Sequence, residues 1–370
     1  MLPPAQQWYY NTPVGKRKEK GEGMKRLTVI LLVLVLCVYA LPILTVGGLD
    51  APQTPTVDAP QQDDTQAGDD TQQGAIQVVS DSYDNSTQVS VCIDGTATEM
   101  TLHDYLCGVL AAEMPASFPE EALKAQALAA RTYTLYKIGL YEAGMAIPES
   151  HNGAQMCTDY THCKAYCDLA AQADSMWGDQ SAEYLQKIEQ AVSATDGVIA
   201  TYQGEPIAAV FHAASTEKTE AAVDVWGGDT PYLQSVESPG GESSEHYYGE
   251  ITISAEEFKK RFTEQYPQAD LSSPPEHWFK ASNRSEAGGV IDVAVGGVRV
   301  SGTVIRTMLG LNSTNFTYTP QGDTLIFKTK GYGHGVGMSQ YGARELALQG
   351  MTYDEIIKWY YTGVDLTLKS

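Results

Sequence analysis

Polar and apolar residues alternate along Gln88-Val89-Ser90-Val91-Cys92-Ile93 and the run ends at Asp94-Gly95, a pattern that predicts a strand followed by a tight turn. The period then changes. Apolar residues at helical spacing over 101–112 predict a helix that stops before Pro115, because the residue preceding a proline is pushed out of the α region. Ser117-Phe118-Pro119-Glu120 has the spacing of a capping box and predicts a second helix reaching about Tyr141. Glu113 is thereby left at a helix–turn–helix corner. After a loop rich in Cys and His (151–168), residues 181–195 read as a helix and 197–211 as strands. Further strands are expected at 290–300 and 324–328, and further helices at 255–262, 338–348 and 353–361. The class is mixed α+β, helices with short strands, and no internal repeat is found.

Ahead of this region, residues 27–46 form a run of 20 residues without a charge, long enough to cross a bilayer as a helix. Lys16, Arg17, Lys18, Lys20, Lys25 and Arg26 precede it, so the positive-inside rule places residues 1–26 as a cytoplasmic basic tail. A cleaved signal peptide is the competing reading, but its apolar core is normally shorter. Residues 47–75 are Asp, Gln, Thr, Pro, Ala and Gly with almost no large apolar side chain; they read as a disordered acidic linker. The folded part, 76–370, is then expected outside the membrane.

Net charge alters the range of partners. At −22, the chain lacks the cationic surface that phosphate backbones and anionic lipids require, so no nucleic acid is expected as a ligand, whereas a glycan makes no such demand. Cys37 falls in the apolar run, which leaves Cys92, Cys107, Cys157, Cys163 and Cys167, an odd number that argues against a full disulfide framework. Cys92 and Cys107 read as small buried apolar residues, with a bridge between them left open.

Two stretches carry candidate chemistry. In Ala111-Ala112-Glu113-Met114-Pro115 a carboxylate at a helix end among apolar neighbours feels desolvation and the negative end of the helix dipole, both of which raise its pKa toward that of a general acid. The plainer alternative is a surface glutamate. In Gly331-Tyr332-Gly333-His334-Gly335-Val336-Gly337-Met338-Ser339-Gln340 the glycines permit sharp turns and close backbone approach to a ligand. Here the plainer alternative is a glycine-rich turn with His334 satisfied internally.

Together these stretches resemble the stage II sporulation protein D family. The resemblance extends to the Gln126–Tyr133 helix, to 211–220 with Val225-Trp226, to 231–236, to 301–311 with Arg306, and to 353–366. It implies a membrane-anchored ectodomain with a glycan-binding cleft, 76–370 being the catalytic domain. The activity it implies is that of a peptidoglycan lytic transglycosylase, a lyase of the cell wall acting on peptide-free strands during engulfment in sporulation and leaving 1,6-anhydro-muramyl ends. Glu113 matches the family's catalytic glutamate and Arg131 its motif arginine, with a possible role in holding Glu113 or a substrate oxygen. Substrate-binding roles are implied for His212, Ser215, Lys218, Glu220, His334, Ser339 and Gln340, although Ser215-Thr216-Glu217-Lys218 departs from the family's small-residue pattern. Only one carboxylate is needed, because the sugar's own C6 hydroxyl attacks, unlike the two-carboxylate scheme of ordinary glycosidases.

His151, Cys157, His162 and Cys163 offer two imidazoles and two thiolates, a full tetrahedral Cys₂His₂ set, and some family members carry zinc ligands at this spacing. With four protein ligands the zinc is expected to be structural, stapling a loop poor in apolar residues. A Cys157–Cys167 or Cys163–Cys167 disulfide is the alternative. The family also implies partners: peptidoglycan glycan strands, a stem-peptide amidase and endopeptidase, and a polytopic membrane protein, at the mother-cell septal membrane. Three other readings compete: a non-catalytic enhancer of a cell-wall amidase, a zinc metallohydrolase, which the missing His-Glu-x-x-His disfavours, and a wall-tethering module.

Overall fold

The computed structural model describes residues 82–369, so the expected basic tail, transmembrane helix and acidic linker all lie outside the described residues. Among the described residues no helix is long and apolar enough to cross a membrane. The mixed α+β class holds.

After a short helix, α1 (Tyr83–Ser86), strand β1 (Gln88–Ile93) pairs antiparallel with β2 (Thr96–Thr101). Asp94 and Gly95 both sit at positive φ (49° and 81°), the conformation a two-residue hairpin needs. Thr101 caps α2 (Leu102–Glu113) by accepting the Asp104 N–H, and Met114 turns to extended backbone before Pro115. Helix α3 (Glu120–Glu142) begins on Pro119 without a side-chain cap, which corrects the expected capping box at Ser117. Pro119 at the N-cap has no side-chain acceptor, and its carbonyl accepts the Ala122 and Leu123 N–H groups instead.

Helix α3, with 23 residues and a length of about 35 Å, is the axis of the first core. Ala122, Ala125, Ala127, Ala129 and Ala130 are all fully buried, small enough for other elements to approach it on several sides. Those elements are α2, α5 (Ser181–Ser193), β4 (Val198–Tyr202), α9 (Gln340–Leu348) and α10 (Tyr353–Tyr360). Between α3 and α5 the chain makes β3 (Met156–Cys157), which joins β1 in parallel, and α4 (Leu169–Trp177), a helix the sequence pattern did not mark. Strand β4 lies between β5 (Glu205–Pro206) and β14 (Asp365–Leu368), and β6 (Phe211–His212) pairs in parallel with β13 (Met338–Ser339). A short helix, α6 (Ala222–Trp226), follows β6.

A second core is built by one excursion of the chain. It contains β7 (Tyr248–Ser254), α7 (Ala255–Gln265), β8 (Phe279–Arg284), β9 (Val290–Val295), β10 (Val298–Ser301), α8 (Gly302–Leu309), β11 (Phe316–Gln321) and β12 (Thr324–Lys330). Two three-stranded sheets, ordered β10-β9-β8 and β11-β12-β7, enclose Phe258, whose ring lies 5.3–6.1 Å from those of Phe262, Trp278, Phe279 and Phe327. Aromatic pairs at such distances add to the area they bury. The excursion opens and closes on one pair of partners, Tyr248 opposite Lys330.

Candidate active site and metal cluster

The extended turn at Met114 leaves Glu113 at the end of α2, half-buried, with Oε1 accepting the Ala165 N–H at 2.8 Å. Its backbone oxygen accepts Gln340 Nε2 at 3.0 Å, and the same amide lies 3.4 Å from Gln126 Oε1. Thus the corner and the glycine-rich block, 227 residues apart in sequence, meet directly. Burial raises the Glu113 carboxyl above the ordinary glutamate range, against the opposing pull of Lys164 and the Ala165 N–H.

Lys164 is a residue the sequence reading passed over. It is 6% exposed, and its ammonium rests 4.1 Å from the centre of the Tyr133 ring and 3.7 Å from that of Phe211. Burial pulls it down to about 8, while the charges of Glu113 and Cys163 push it up. Its place directly after Cys163 was the only available hint.

The glycine block is threaded through tight quarters. A Cβ on Gly337 would collide with the Val210 carbonyl oxygen, and one on Gly333 would come within 2.7 Å of the His212 Cβ; both residues also have positive φ. His212 Nδ1 lies 3.2 Å from the Val336 carbonyl, so we assign the proton to Nδ1. His334 accepts the Val336 N–H on Nδ1, and its ring centre lies 5.6 Å from that of His212 and 5.3 Å from that of Trp226. Burial pushes His212 down to about 4 and holds His334 well below the usual histidine range, so both rings are neutral near pH 7.

The remaining expected site residues divide by location. Ser215 donates to Ser238 Oγ at 2.6 Å, and Ser339 Oγ accepts the N–H groups of Ser215 and Gly342. With Gln340, these side chains lock the block onto the first core. Glu220 is buried and accepts the Gly289 N–H at 3.1 Å, and burial raises its carboxyl. Lys218 faces solvent between Glu237 (3.6 Å) and Glu286 (3.3 Å). Two concavities flank Glu220: one of about 20 Å³ also lined by Ser215, Lys218 and His334, and one of about 300 Å³ lined by Asp224, Ser235 and Glu286 among others. Glu113 lines neither of them.

Arg131 requires a correction. It is 0% exposed and clasps the equally buried Asp84, with Nε 2.9 Å from each carboxylate oxygen and Nη2 2.6 Å from Oδ2. Its other bonds go to Thr195 Oγ1 and to the carbonyls of Val192 and Val198. Its bonds therefore reach α1, α5 and β4, and Glu113 is not among their acceptors. It stands 18 residues after Glu113, but on α3 its side chain projects to another face.

His151, Cys157, His162 and Cys163 converge, with one ligand atom from each lying within 4.8 Å of all the others. The sulfur–nitrogen separations of 3.4–3.5 Å approach the roughly 3.5 Å edge of a tetrahedral zinc site. His151 Nε2 and His162 Nδ1 stand 2.8 Å apart, closer than the ~3.3 Å edge expected of two zinc-bound nitrogens, so the rings must part slightly to take an ion. His151 Nδ1 lies 3.0 Å from the Ala154 carbonyl, which directs the Nε2 lone pair into the cluster. Bonds from Cys157 and both imidazoles, with the Lys137 ammonium, hold Cys163 far below the ordinary thiol range. The donor set fits a metal. All five cysteines in the described residues are free, and Cys167 donates to the Gly108 carbonyl, so neither the Cys92–Cys107 bridge nor a bridge to Cys167 forms.

Comparison with known proteins adds an independent finding. Residues 94–202 match the family model described as Stage II sporulation protein. The chain is 36% identical over 286 residues to Stage II sporulation protein D of Bacillus subtilis (strain 168), covering 76% of this chain and 80% of that one. With Stage II sporulation protein D of Bacillus amyloliquefaciens it shares 38% over 266 residues, 72% of this chain and 74% of that. The amidase enhancer of Bacillus subtilis (strain 168) is 28% identical over 314 residues, 71% of this chain and 40% of the enhancer.

Proposed function

Since this chain belongs to the stage II sporulation protein D family, a family of sporulation proteins, we propose that it is a peptidoglycan lytic transglycosylase with Glu113 as its acid and base. The observation that carries the reading is the half-buried carboxyl at the end of α2, raised by its surroundings and anchored by the Ala165 N–H. Glu113 in its acid form gives its proton to the oxygen between muramic acid and glucosamine as the bond from C1 breaks. The C6 hydroxyl of the same muramic ring then closes on C1, and the Glu113 carboxylate takes that hydroxyl's proton. The acid is regenerated, no water enters, and the product ends in a 1,6-anhydro ring. Gln340 and the serine contacts of the glycine block hold the corner in place. His212 and His334, both neutral, supply polar groups within the glycine block and its partner strand. Mass spectrometry of peptide-free strands incubated with the protein is expected to reveal anhydro-muramyl ends; reducing ends formed by water would exclude this reaction.

The likeness to an amidase enhancer favours one rival reading, a non-catalytic stimulator of a cell-wall amidase. The two separate on peptide-free strands incubated without any amidase: the transglycosylase shortens the strands alone, the enhancer does not.

The His/Cys cluster, on this reading, holds a structural zinc ion, which when bound fixes the loop that delivers Ala165 to Glu113. Four protein ligands leave no open coordination position. Purified protein is expected to carry about one equivalent of zinc, and Cys157→Ser to lose most of it while destabilising the loop. Elemental analysis showing equal zinc in both proteins would remove Cys157 from the ligand set. The uncharged run 27–46 is proposed to anchor the chain in the septal membrane with the catalytic part outside, near a stem-peptide amidase and endopeptidase and a polytopic membrane partner.

A further inference from the structure

The expected site residues leave one buried cation unused. Lys164 lies between the faces of Tyr133 and Phe211, and among the described residues its ammonium has no hydrogen bond and no carboxylate within 4.0 Å. Two rings attract a cation but do not accept its three N–H bonds, so the group is desolvated and short of acceptors. The charge of Cys163 also acts on it, but that sulfur is hydrogen-bonded by Lys137 Nζ at 3.4 Å and not by Lys164. The carboxyl whose charge acts on it is that of Glu113, tied to the next residue, Ala165. A general acid carries no charge when it acts, so at that moment the Glu113 carboxyl no longer offers Lys164 a negative charge.

We propose that Lys164 is a specificity-determining residue that receives the lactyl carboxylate of muramic acid, a group that exists only after the stem peptide has been removed. This rests on the reading of Glu113 as the acid that cuts peptidoglycan strands. The lactyl group hangs from C3 of the same ring whose C1 is attacked, so a cation beside the acid is placed to meet it. In an unstripped strand this carbonyl is an amide, which is neutral and bulky. Burying a charged amine against an amide leaves it without an anion, whereas a carboxylate restores the pair.

The test compares binding of the full-length Glu113→Gln protein to peptide-free strands and to the same strands with their lactyl carboxylates methyl-esterified. Esterification is expected to weaken binding about tenfold or more. Lys164→Met in the same background should bring the two affinities together, and Lys164→Arg should keep them apart. Equal binding of acid and ester by the Glu113→Gln protein, or no measurable binding of the acid strands, overturns the proposal; neither result depends on Lys164→Met folding. A wild-type protein that yields no anhydro ends sinks the transglycosylase reading instead, while the acid-to-ester ratio still decides the role of Lys164.

Discussion

Glu113→Gln is expected to slow release of anhydro-muramyl ends by roughly 10²- to 10⁴-fold, the usual contribution of a positioned proton donor. Glutamine has nearly the same shape, and its amide oxygen can still accept the Ala165 N–H, so folding and strand binding should survive. Initial rates on peptide-free strands check this, and undiminished cleavage would remove Glu113 from the mechanism. The pH dependence has a definite sign. Because burial raises this carboxyl, its acid form persists to higher pH than in a free glutamate, and the proton-donating step fades as pH rises through the raised value. Stability runs the same way: the contribution from Glu113 is present below the ordinary glutamate range and lost as pH climbs through the folded value. Glu113→Gln should flatten that slope.

Asp84→Ala is expected to cost about 3–5 kcal/mol, because it strands a fully buried guanidinium with no anion to meet it. Arg131→Met should cost a similar amount by leaving the carboxylate alone. The double variant Asp84→Ala/Arg131→Met is expected to recover part of the loss, since neither charge then remains. Urea unfolding midpoints of the three variants measure this. A normal midpoint in Arg131→Met combined with lost cleavage would return Arg131 to the active site.

Much of the architecture was legible because it is local. The Asp94-Gly95 turn, the stop before Pro115 and the helices starting at Ser181 and Ala255 follow from neighbouring residues alone. So does the convergence of His151, Cys157, His162 and Cys163, which lie within thirteen residues. The partner of Arg131 was not legible, because Asp84 sits 47 positions away in a four-residue helix too short to leave a periodic pattern. Lys164 escaped for a related reason: an isolated lysine reads as solvated until Tyr133 and Phe211, from α3 and β6, close over it. Ser215 and Ser339 carry the residue type of a binding site but spend their hydroxyls inside the fold, a distinction that only tertiary contacts make.

The pairing of Tyr248 with Lys330 has an evolutionary consequence. Cross-strand partners lie about 5 Å apart, so the chain departs and returns through almost one point. Everything between is a graft on one stem, docked again where Glu220 meets Gly289 and Lys218 meets Glu286: lengthening or trimming its outer loops leaves the rootstock, with Glu113 and the His/Cys cluster, at the same geometry. Natural variation in chain length among relatives should therefore concentrate in that graft, and the acid-bearing corner should tolerate almost none.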